Sequence, residues 1–127
     1  MFDGAGFSTI ENIKSKCYIG KKINSTYDDD GNEIKVYEEP QKYFFNIQPV
    51  TSTTDIQEFG ENANKMKVAL ITNRKKYEGK FNEFDCAYLD GATPEEETVI
   101  GENANYRVYS VQYQNVAIRV FFLKLVK

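Results

Sequence analysis

The stretch that closes the chain constrains the fold more than any other. From Val116 to Val126 the sequence VAIRVFFLKLV alternates in the period of two that sends successive side chains to opposite faces of a strand. Val116, Ile118, Val120 and Phe122 form one apolar row. The opposite row, Ala117, Arg119, Phe121, Leu123 and Leu125, is also largely apolar after Arg119. A strand with two apolar faces must be buried on both. It belongs in the middle of a sandwich, in a barrel wall covered by another element, or against a neighbouring subunit.

The same period recurs upstream. In KYFFNIQPV, Tyr43, Phe45 and Ile47 share one face while Phe44, Asn46 and Gln48 share the other, and Pro49 marks an edge or an end. Cys17 to Ile19, Met66 to Ile71, Phe84 to Leu89 and Tyr106 to Val111 complete the predicted strands. Nine Tyr and nine Phe in 127 residues favour sheet, where rings pack well on a pleated surface. The expected fold is mainly β: a single domain over residues 1–127, a small β-barrel or sandwich with short helical turns and long loops. Residues 1–14, with Phe2, Phe7, Ile10 and Ile13, read as a flexible N-terminal arm with a short helix over Ser8–Lys14.

Between the strands the turn chemistry is explicit. Asp30-Gly31, between Tyr27 and Ile34-x-Val36, is a hairpin signal, because Gly and Asp reach positive φ cheaply. An EF-hand loop is excluded there, since Gly31 at its sixth position would put Thr26 first and Tyr37 twelfth. Thr54-x-x-Gln57 fits a capping box ahead of a short helix over Asp55 to Phe59, ended by Gly60. Thr93-Pro94-Glu95-Glu96 has the signature of a single helical turn. The pentapeptide GENAN occurs twice, at Gly60–Asn64 and Gly101–Asn105, each time before a predicted strand, and reads as punctuation where the chain reverses.

Chemistry is sparse. The chain has no histidine, which removes Ser-His-Asp and Cys-His catalysis and His-ligated zinc. DGAG and GENAN lack phosphate-loop spacing, and nothing points to a cofactor, a metal or an enzyme. Cys17 and Cys86 lie within apolar alternation, as buried reduced thiols do. Net charge is −3, so no global field draws the chain to nucleic acid or anionic lipid, and neither a membrane span nor a signal peptide is visible, which places synthesis in the cytoplasm. Two basic clusters stand out, Lys14 to Lys22 and Arg74-Lys75-Lys76. With Tyr18, Tyr43 and Phe44 as stacking rings, Lys21, Lys22 and Arg74 to Lys76 would make an alternative OB-like barrel that binds single-stranded nucleic acid.

The stretches KYFFNIQPVTSTTDIQEFGENANKMKVALI, FDCAYLDGATPEEE and NYRVYSVQYQNVAIRVFFLKL, over the last two-thirds of the chain, resemble the head-tail stopper, or head-closure, family of tailed phages and prophages of low-GC Gram-positive bacteria. None of them is a catalytic motif. The resemblance implies a structural virion protein of the neck, a homo-oligomeric ring assembled in the host cytoplasm. Such a ring sits between the portal and adaptor rings above and the tail terminator or tail tube below, and closes the channel after DNA packaging. Tail terminator is the neighbouring role, but it implies long amphipathic helices, whereas the helices predicted here are one or two turns. The resemblance transfers only to segments. The channel loop is either Tyr27–Glu33 or Asn73–Asn82, and Asn73–Asn82 is the preferred candidate because Arg74, Lys75, Lys76 and Lys80 would face DNA phosphates. Asp28, Asp29 and Asp30 form a candidate ring-docking hairpin, and Phe121, Leu123 and Leu125 a candidate subunit interface. No membrane partner is implied.

Overall fold

The structure, a computed structural model, describes residues 14–126; the expected arm and its Ser8–Lys14 helix lie, except for Lys14, outside the described residues. The strands are β1 (Ser15–Gly20), β2 (Thr26–Tyr27), β3 (Glu33–Ile34), β4 (Gln41–Pro49), β5 (Met66–Ile71), β6 (Cys86–Tyr88), β7 (Tyr106–Tyr113) and β8 (Ile118–Lys124). Two short helices, α1 (Thr53–Phe59) and α2 (Arg74–Tyr77), and a 3-10 helix over Gly60–Lys65 interrupt them.

Six strands close into an antiparallel barrel in the order β1-β4-β5-β8-β7-β6, and β6 pairs back onto β1. The choice between barrel and sandwich is thereby settled, and closure removes the sheet edges that would otherwise offer unpaired backbone. β2 and β3 form a separate two-stranded hairpin. The register places one row of each strand inside. Cys17, Ile19, Phe45, Ala69, Ala87, Val108, Ile118, Val120 and Phe122 form the main core. A bulge between Val108 and Ser110 adds a residue to β7 and keeps Tyr109 on the outer side with Phe121.

The second apolar row of β8 is covered from within the chain. α1 and the 3-10 helix lie on the outer wall, where Phe121 packs with Val50, Ala63 and Met66 and against Phe59, ring centroids 4.7 Å apart. Of the three settings open to a doubly apolar strand, the structure adopts the covered barrel wall. This corrects the assignment of Phe121 to a subunit interface: its side chain is fully buried in the protomer, which stabilises the fold by about 1.5–3 kcal/mol relative to exposure. Leu123 is half-buried against the same cluster, and Leu125 is half-buried beyond the end of β8, its N–H bonded to the Asn105 carbonyl at 2.9 Å.

Three local expectations shift. Ser52, not Thr54, caps α1, its hydroxyl accepting from the Asp55 N–H, so the helix starts at Thr53. β6 begins only at Cys86, because Phe84 adopts φ 74° and Asp85 N–H turns back to the Asn82 carbonyl. Thr93–Glu96 forms no helix: the Thr93 hydroxyl caps Glu95 N–H at 3.3 Å, but Glu96 takes φ 66° and breaks the turn. A single turn would gain one hydrogen bond for the cost of nucleation.

Candidate functional site

The alternating strand directions gather three connections at one end of the barrel: residues 21–40 with the hairpin, residues 72–85 with α2, and the β7–β8 turn at 114–117. Both segments singled out from the sequence, Asp28–Asp30 and Arg74–Lys80, therefore lie at the same rim.

The hairpin tip is a built turn. The Asp28 carboxylate accepts from the N–H groups of Asp30 at 3.0 Å and Asn32 at 2.8 Å. The backbone bond from Asn32, seconded by Asp30 and Gly31, holds this carboxyl below its ordinary range. Asp29 and Asp30 are exposed beside it. The two strands behind the tip are exposed along their length, with Tyr27 70% and Ile34 46% accessible.

The hairpin base, by contrast, is anchored. Lys22 N–H donates to the Asp85 carboxylate at 2.9 Å, as does Asn82 N–H at 2.9 Å. Asp85 is buried, and desolvation pushes its carboxyl up despite these two bonds. The Lys22 ammonium and the Arg107 guanidinium both lie against the Phe84 ring, 5.4 and 5.0 Å from its centre. On the other arm Tyr37 packs against Gly101: a Cβ there would come within 2.8 Å of the ring, and φ is 96°. Only glycine fits both demands.

The segment 73–82 does something the sequence did not reveal. Asn73 caps α2 through Lys76 N–H, and α2 turns Tyr77 inward. Tyr77 and Phe81 stack 6.1 Å apart and meet Tyr43 and Phe45 edge-on at 5.3 to 6.2 Å. These four rings plug the barrel's own mouth. Arg74 is correspondingly engaged, bonding Glu78 and the Gln114 carbonyl at 2.7 Å and lying over Tyr113. It therefore pins α2 to the β7–β8 turn and is corrected from a free phosphate contact to a structural tie. Lys75, Lys76 and Lys80 remain exposed.

The stacking platform of the oligonucleotide alternative is not assembled. Tyr43 faces the aromatic plug, stacked on Phe45 at 5.3 Å, and Tyr18 meets Tyr88 edge-on. Phe44 alone of the three rings is exposed.

The opposite end is closed by polar groups. Lys67 pairs with Asp90, which also accepts from the Tyr106 hydroxyl at 3.0 Å; burial together with that bond raises the Tyr106 phenol to about 12. Nearby, Glu97 accepts from the Tyr88 hydroxyl at 2.8 Å and from the Asn103 N–H at 2.9 Å, fastening residues 97–103 to the wall. Among the described residues no group of three His, Cys, Asp or Glu side chains is placed to hold a metal, and no helix is long and apolar enough to cross a membrane. Both cysteines are free and buried, as expected of small core residues.

No family model matches this chain, and no curated protein matches it. Among solved structures it is similar to the solution structure of protein SF1141 from Shigella flexneri 2a, with 11% sequence identity, coverage of 91% of this chain and 95% of that one, and a TM-score of 0.55. At that identity the likeness is one of fold.

Proposed function

We propose that this protein is a structural protomer of the tailed-phage neck, a small barrel that assembles as a ring between the portal and adaptor rings and the tail, closes the channel after packaging and joins head to tail. The observation that carries the reading is the hairpin. A two-stranded ribbon is marginal on its own in water, yet here it leaves the barrel with Tyr27, Ile34 and Ile23 exposed beside an acidic tip. Exposed apolar surface rimmed by charge is what a docking element presents. The barrel itself is filled by rings at one end and by the Lys67, Asp90 and Tyr106 lock at the other, so recognition falls to its outer surface. Lys75 and Lys80 supply exposed cations for passing DNA.

The experiment is deletion of the gene in its lysogen, with electron microscopy of induced particles and an assay of their DNA content. DNA-leaking heads beside free tails are expected, with restoration by the gene in trans. Normal filled and tailed particles would refute the reading.

A further inference from the structure

The barrel wall has three outer faces, and the described chain covers two of them. α1 and the 3-10 helix lie over β5, β8 and β7. The segment before β7, together with Tyr37, lies over β6 and the adjoining part of β1. The third face, formed by the outer rows of β1, β4 and the end of β5, is not covered by any of the described residues. Phe44 is 56% and Leu70 44% exposed there, and both line a groove of about 430 Å³ that runs up to α2.

The charge on this face is of one sign. β1, β4 and β5 contain no Asp or Glu. Lys14, Lys16, Lys42 and Lys76 are exposed around the two apolar side chains, and none is in an ion pair among the described residues. The hairpin is its counterpart in both respects: one ribbon face carries exposed Tyr27 opposite Glu33, next to the Asp28–Asp30 carboxylates.

We infer that these are the two halves of one contact between copies of this chain: the hairpin of one protomer lies on the β1–β4–β5 face of the next. Tyr27, on the ribbon face it shares with Glu33, covers Phe44 and Leu70, and the tip carboxylates sit among Lys14, Lys16 and Lys76. The partner's identity as a second copy rests on the ring reading. Used in one direction, each hairpin on the next copy, the contact is heterologous and builds a ring where the rotation per subunit closes. Each contact is small, so stable assembly depends on simultaneous engagement around the ring. The charges steer the encounter and set its register more than they hold it.

The test uses purified full-length chains, each with one added thiol, mixed at high concentration with a short bismaleimide. Tyr27→Cys is paired with Phe44→Cys and, as control, with Ile56→Cys on the α1 face; the native thiols are buried. The Tyr27–Phe44 adduct is expected in excess over the control. Lys14→Glu with Lys76→Glu in the Phe44→Cys chain is expected to cut it roughly tenfold or more, because like charges then face each other. Adding Asp29→Lys and Asp30→Lys to the Tyr27→Cys chain is expected to restore it, with Asp28 kept to hold the turn. Equal yields for the two pairs, or no restoration by the double reversal, would overturn the inference. So would preferential linkage of Phe44→Cys to a Phe7→Cys within the same chain, which would give the face to the N-terminal segment. Since the adducts are scored on purified chain, normal particles from the deletion lysogen would sink the neck reading and leave this contact standing.

Discussion

Phe121→Ala separates two uses of the last strand that look the same in sequence. Phe121 is fully buried, with Phe59 at 4.7 Å between ring centres and the Arg119 guanidinium 4.8 Å above it. Truncation removes these contacts and leaves a cavity under α1. Core Phe→Ala changes cost about 3–5 kcal/mol. At 0.05–0.15 kcal/mol per residue the whole 127-residue domain has about 6–19 kcal/mol to lose, so the variant should still fold at room temperature. Its melting midpoint should fall by roughly 10–20 °C, at about 4 °C for each kcal/mol in a domain of this size. Thermal and urea unfolding followed by circular dichroism, repeated over a wide range of chain concentration, is the assay. The loss is expected to be the same at every concentration, because the contacts are within one protomer. An unchanged midpoint accompanied by weaker self-association would refute the packing and return Phe121 to a subunit boundary.

The polar part of the same wall predicts an asymmetry. Arg119→Ala strands the carboxylate of Asp55, which is 2% exposed, and should cost about 3–5 kcal/mol in urea unfolding. Asp55→Ala should cost less, since Arg119 is only half-buried and keeps Gln112; equal losses would contradict the burial difference. Burial raises the Cys17 thiol to about 12 and Cys86 to about 11, so neither should react with a thiol reagent at pH 8 until denaturant is added. Rapid labelling of the native chain would show that the barrel is not packed as described. Asp28 titrates below its ordinary value of 3.8, so its support of the hairpin turn is complete above that value and lost as pH falls through the depressed one. The Asp30 and Asn32 amide resonances should report that titration; a midpoint at the ordinary value would mean that the turn is not formed in solution.

Strand positions were legible because their signal is local. The period of two in β4, β5, β7 and β8 needs no partner to be seen, and the Asp-Gly turn announced the hairpin. What covers each strand was not legible, because it is decided far along the chain. Asp55 and Arg119 are 64 positions apart, and nothing in FFLKL distinguishes a face meant for Phe59 of the same chain from one meant for a neighbour. Arg74-Lys75-Lys76-Tyr77 misled for a related reason. Its charges dominate the composition of the segment, while its structural work is done by Tyr77, whose partners Tyr43 and Phe45 lie on another strand. A signal was present in Asn73, a good N-cap three residues before Lys76, but one turn of helix is too short to stand out.

The two GENAN copies show how little five identical letters determine. In both, the glycine takes positive φ, 59° at Gly60 and 96° at Gly101, and the alanine, Ala63 or Ala104, is buried against the barrel wall. In both, a strand follows. The rest is set by surroundings. The first copy continues α1 as a 3-10 helix, and its Asn62 donates to the Tyr109 hydroxyl. The second forms a turn beneath Tyr37, and its Asn105 side chain both accepts from the Leu89 N–H and donates to the Leu89 carbonyl, at 2.9 and 2.8 Å, standing in for a strand partner. The shared function is mechanical: a glycine reverses the chain and a small residue lets it lie close on the wall. These segments hold down two of the three outer faces, and among the described residues the basic face of β1, β4 and β5 is the one left uncovered.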